Sequence, residues 1–146
     1  MRTEQTRRFF LRSGACALCA GVLSPLLSSC DTVIDGEPTL RLPDERALQR
    51  LGGAVRKRFA AVNGGEAVFI IRESEHGFTA YAAQCTHQSV ELRPPAEGEM
   101  VCPNHGSRFT TSDGSVIEGK ATVPLPRFGV RYDAQAQTIT LLPSLP

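Results

Sequence analysis

Tryptophan is absent from this 146-residue chain, and two tyrosines and seven phenylalanines are its only aromatic residues. Any core must therefore be aliphatic, completed by phenylalanine. Neither sign of charge dominates, because 16 Lys and Arg stand against 15 Asp and Glu. That balance lends no support to a nucleic-acid partner. Low-complexity tracts are lacking, and a composition of 41% hydrophobic and 21% charged residues suits a folded globular protein. The length allows one domain and a leader, not two domains. Long apolar runs are missing too. The uncharged segment 13–27 is short and mild for a spanning helix, and Ser24-Pro25 interrupts it.

What is present begins with that leader. Residues 6–12 read T-R-R-F-F-L-R, in which Arg7 and Arg8 precede an apolar pair and then the mild segment. This is similar to a twin-arginine export signal, and a signal is favoured over a permanent span. Of the five cysteines, Cys16 and Cys19 lie inside the apolar segment and read as small hydrophobes rather than a redox dithiol. Cys30 differs, because it ends L-S-S-C and resembles the modified cysteine of a bacterial lipoprotein box. Acylation there would anchor the protein, since two or more chains attach stably where one binds only marginally. The alternative is a plain leader with an incidental cysteine. Residues 1–29 are thus expected to be signal, 30–37 a tether, and 38–146 the working domain, mildly acidic once the leader is removed.

Residues 85–109 carry the chemistry. They read C-T-H, fourteen residues, then C-P-N-H-G-S-R-F, which sets Cys85 with His87 and Cys102 with His105. Thiolate sulfur and imidazole nitrogen together suit iron or zinc, and this ligand set excludes a magnesium or calcium site. Zinc fingers usually offer a cysteine pair and then a histidine pair. Here each pair is mixed, which suits a two-iron cluster with both cysteines on one iron and both histidines on the other. A structural zinc site with the same four ligands is the alternative.

These residues resemble the Rieske iron–sulfur family, whose signature is C-x-H followed by C-x-x-H and Gly-Ser. All four ligands, Pro103, Gly106 and Ser107 match. Asp113-Gly114 and the G-K-A-T-V-P-L stretch at 119–125 are similar to loops that follow in that family. The resemblance implies an all-β domain, an antiparallel β-sandwich with a small cluster-binding subdomain. It also implies one [2Fe-2S] cluster per chain, with Gly106 and Ser107 around it. Two departures stand out. Quinol-oxidising members carry a further cysteine after each pair, joined as a disulfide, where this chain has Val90 and Asn104. They also commonly have a hydroxyl-bearing tyrosine where this chain has Phe109, whereas the Ser107 hydroxyl remains to bond a bridging sulfide. The function implied is one-electron transfer at the outer face of the cytoplasmic membrane, between redox donor and acceptor proteins such as a cytochrome or quinol-oxidising complex. The alternative is a small iron–sulfur subunit of a larger exported oxidoreductase or of a quinol–cytochrome c reductase. No catalytic residue is expected in the chain itself.

The rest of the chain fits short antiparallel strands. Asp44 is expected to cap a helical turn over 45–51, after a first strand near Leu40. Apolar or alternating runs at 54–59, 67–72 and 78–83 are separated by N-G-G at Asn63 and E-H-G at Glu75. Strands are also predicted at 100–101, 115–117, 128–132 and 138–142, the last two joined by a turn at 133–137. His76, beside a glycine in a turn, reads as a solvated residue.

Overall fold

The computed structural model describes residues 33–144. Residues 1–29 and Cys30, with the export and lipid-attachment readings that rest on them, lie outside it.

Among the described residues, ten strands make two sheets. The larger orders as β1 (Val33–Ile34), β3 (Ala54–Phe59), β4 (Ala67–Arg72), β5 (Phe78–Ala82), β9 (Arg127–Asp133), β10 (Thr138–Ser144) and β2 (Thr39–Arg41). All its pairings are antiparallel except β1 with β3. The smaller sheet is β6 (Glu99–Val101), β7 (Arg108–Thr110) and β8 (Val116–Glu118). The fold is all-β, as expected.

The run A-V-F-I-I in β4 does not alternate with polar residues, because both faces of this strand are buried. Val68 and Ile70 face one core, with Leu40, Leu48, Phe59, Ile139 and Leu141. That core joins residues from both ends of the seven-stranded order, so the sheet curls around it. Ala67, Phe69 and Ile71 face the other way, into a second core with Tyr81, Met100, Phe109, Leu125, Cys85 and Cys102. This second core attaches the small sheet to the large one. The two candidate ligand cysteines are part of it.

The runs at 54–59 and 67–72 form strands with the expected limits, and β5 stops one residue early, at Ala82. Three other expectations are corrected. Asp44 closes a 3₁₀ turn (Leu42–Asp44) and caps nothing; a second turn, Arg46–Gln49, follows Glu45 and has no side-chain cap. Val33–Ile34, inside the stretch read as a tether, pairs with Arg58 and Phe59 of β3. Strand β7, directly after the second ligand pair, was not expected. Its three residues are too few to show a period, and pairing on both sides with β6 and β8 makes it a strand.

Candidate metal centre

The two ligand loops have the same backbone design. In the first, Cys85 N donates to Val90 O (2.8 Å) and Ser89 N to Cys85 O (2.8 Å). In the second, Cys102 N donates to Ser107 O (2.8 Å) and Gly106 N to Cys102 O (3.1 Å). Each cysteine thus pairs with the residue five places on, and the residue four places on turns with positive φ: 54° at Ser89, 70° at Gly106. The two N–H groups second and third after each cysteine aim at its sulfur. They belong to His87 and Gln88 in one loop, and to Asn104 and His105 in the other. A sequence cannot display this symmetry, because the histidine stands at the second place in one loop and the third in the other.

The loops bring like beside like. Cys85 and Cys102 are both free, buried and within hydrogen-bonding contact of each other. The rings of His87 and His105 lie edge to face, with centroids 5.1 Å apart. His105 is exposed and His87 half-buried. His87 Nδ1 is nevertheless buried and has no hydrogen-bond partner among the described residues. Such a group is costly unless something accepts or binds it. Among these residues no three His, Cys, Asp or Glu side chains converge as a single-ion site would require.

Burial pushes the Cys85 thiol above its ordinary pKa, and the adjoining Cys102 adds to the shift. At Cys102 burial also pushes upward, but the N–H groups of Asn104 and His105 and the Cys85 thiol outweigh it, so its pKa falls. Burial, then the charge of Lys120 and the neighbouring His87, lowers the pKa of His105.

Three contacts lock the site; sequence reasoning singled out Ser107 but missed Gln88 and Thr86. Asn104 Nδ2 donates to Gln88 Oε1 (3.3 Å), tying one ligand loop to the other. Thr86 Oγ1 donates to Val123 O (2.7 Å), tying the first loop to the segment 119–124. Ser107, fully buried, accepts from Lys120 N and Ala121 N, each at 3.1 Å, through its Oγ. Its own hydroxyl hydrogen stays available for a further acceptor. The approach of that third loop requires Gly119, since a Cβ there would lie 2.5 Å from Ser107 Cα, and its φ is +102°. Phe109 is fully buried in the same core as both cysteines. Arg108 beside it bridges Glu99 and Glu118 across the small sheet.

A family model described as the Rieske [2Fe-2S] domain matches residues 50–129, more than half of the chain. The chain belongs to this family, whose domain binds a [2Fe-2S] cluster and carries electrons. A curated relative from Haloferax mediterranei, described as a putative respiratory nitrate reductase subunit Rieske, is 31% identical over 64 residues. That match covers 43% of this chain and 29% of the relative. Among solved structures, the plasma membrane Rieske protein PetC3 of Synechocystis PCC 6803 aligns with a TM-score of 0.51 and 22% identity, over 60% of this chain and 84% of that one. The ferredoxin of carbazole 1,9a-dioxygenase from Nocardioides aromaticivorans IC177 aligns with a TM-score of 0.54 and 20% identity, over 73% and 95%. At these identities the solved structures speak for the fold.

Proposed function

We propose that Cys85 and Cys102 hold one iron of the cluster, that His87 and His105 hold the other, and that the chain is an exported, lipid-anchored one-electron carrier. The observation that carries the ligand assignment is the pairing of sulfur beside sulfur and ring beside ring, with His87 Nδ1 buried and unsatisfied. A two-iron group needs two separate ligand pairs, whereas a lone zinc ion needs four donors converging on one point. When bound, the cluster supplies a one-electron couple whose potential histidine ligation raises, to about −150 to +300 mV against about −400 mV for plant-type ferredoxins.

The chain's own residues do the rest. Four backbone N–H groups stabilise negative charge on the two sulfurs. The Ser107 hydroxyl, steadied by Lys120 N and Ala121 N, is free to donate to a sulfide. Exposed His105 offers an edge through which a partner reaches the site. The working partners are redox proteins that give or take one electron at the cluster.

Export and anchoring rest on Arg7-Arg8 and on Cys30 at the end of L-S-S-C. They give an address on the outer face of the cytoplasmic membrane. The relative described as a nitrate reductase subunit favours one second reading, a small iron–sulfur subunit of an exported oxidoreductase. Protein produced with cluster assembly intact and purified without oxygen tests the ligand assignment. It should contain two irons and two acid-labile sulfides per chain and lose both in Cys85→Ser and in Cys102→Ser. Zinc alone would sink the assignment. Isolation from its own membrane in stable association with a large partner would decide for the subunit.

A further inference from the structure

The three loops that form the tip, 85–90, 102–107 and 119–124, contain a single charged side chain, Lys120. Elsewhere several basic residues stand against carboxylates: Arg56 with Glu91, Lys57 with Glu45, Arg58 with Glu66, Arg108 with Glu99 and Glu118. Lys120 is exposed and forms no ion pair among the described residues. Its backbone is fixed against Ser107, and its charge acts on the exposed His105. Beside it stands Val123, 57% exposed, with its carbonyl bound to Thr86 of the first ligand loop. The described residues otherwise carry a slight excess of acid, with twelve Lys and Arg against thirteen Asp and Glu. One unpaired cation at the tip of such a domain gives it a positive end.

We propose that Lys120 and Val123 form the docking face of this protein, and that it receives a redox protein presenting carboxylates around an apolar electron port. Val123 excludes water at the contact, and Lys120 faces a carboxylate. A single complementary pair at a rim acts mainly on encounter and orientation, and less on how tightly the complex holds. An acidic partner therefore approaches with its port toward His105, and a basic one is turned away. The role of the tip rests on the ligand assignment above, but the surface chemistry can be read without it.

The test uses the full loaded protein and inorganic complexes of opposite charge. Hexacyanochromate(III) is anionic, paramagnetic and redox-inert. At low salt it should broaden the methyl NMR signals of Val123 and leave those of Leu51, also exposed but elsewhere, sharp. The broadening should vanish in Lys120→Glu and fade as salt shortens the screening length to a few ångströms, about 3 Å at 1 M. In parallel, protein reduced by one electron passes that electron to hexacyanoferrate(III), which becomes hexacyanoferrate(II). This rate should fall roughly five- to tenfold at low salt in Lys120→Glu, with a smaller fall in Lys120→Gln. Oxidation by a cationic ruthenium(III) ammine should quicken. The midpoint potential should drop in both variants, because a nearby cation favours the more negative reduced form. Broadening that is equal at Leu51, or that survives Lys120→Glu, would overturn the proposal, as would rates indifferent to the sign of the oxidant. A protein found to hold only zinc would defeat the ligand assignment and still leave the anion titration to decide this one.

Discussion

Ser89 and Gly106 occupy equivalent positions in the two ligand loops. Each lies four residues after a cysteine, donates its N–H to that cysteine's carbonyl, and turns through positive φ, 54° and 70°. Only one of the two is glycine. Left-handed backbone costs a side-chain-bearing residue about 1–2 kcal/mol, so the first loop holds a strain that the second avoids. Ser89→Gly should leave stability unchanged or raise it, while Gly106→Ala should lower it by about 1 kcal/mol. Nothing lies within 4 Å of a Cβ at Gly106, so no steric cost is added. Denaturant midpoints of the loaded variants check both signs, and equal losses in the two would contradict the equivalence.

Ser107 is the hinge between the second and third loops. Ser107→Ala leaves the N–H groups of Lys120 and Ala121 without their acceptor in a buried place, at about 1–3 kcal/mol. Gly119→Ala should be worse, because its Cβ would meet the Ser107 backbone and not a side chain that can move. Thermal unfolding of the loaded protein should rank wild type above Ser107→Ala, and Ser107→Ala above Gly119→Ala.

Phe109 bears on the potential. It is fully buried in the core shared with both cysteines, and it has no hydrogen to donate to sulfur. Phe109→Tyr should raise the midpoint potential, since a hydrogen bond to sulfur stabilises the more negative reduced state. An added hydroxyl bonded to a cysteine sulfur with no change in potential would refute this account. The wild-type value should lie below those of quinol-oxidising relatives and above about −400 mV.

Glu99 links the small sheet to pH. Its hydrogen bonds to Arg108 hold its carboxyl below the ordinary value of 4.5. The folded pKa is depressed, so the stabilisation is complete above that ordinary value and disappears as pH falls through the folded value. Glu99→Gln should flatten the dependence of stability on pH in that acidic window and leave it unchanged near neutrality. Acid titration followed by circular dichroism measures this, and parallel curves for wild type and variant would count against it.

The proposed leader carries its own test. Replacing Arg7 and Arg8 by lysine should leave precursor in the cytoplasm, and Cys30→Ala should abolish lipid attachment. Membrane association unaffected by Cys30→Ala, with a mature N-terminus elsewhere, would point to a plain signal or an uncleaved anchor.

The sequence by itself singled out the proposed donor set, because ligand chemistry depends on residue type and close spacing: Cys85 with His87, and Cys102 with His105. It also determined the strands at 54–59 and 67–72, where short apolar or alternating runs are bounded by turn residues. What only tertiary structure decided lies between distant segments. Gln88 meets Asn104, and Thr86 meets Val123, across 16 and 37 residues of chain. No local pattern encodes such contacts. Strand β7 exists because two neighbours pair with it, and β1 because β3 offers an edge. The same holds for charge. Lys120 looks like any other lysine in the sequence, and only the packing of three loops makes it the one charged side chain among them, close enough for its charge to act on His105.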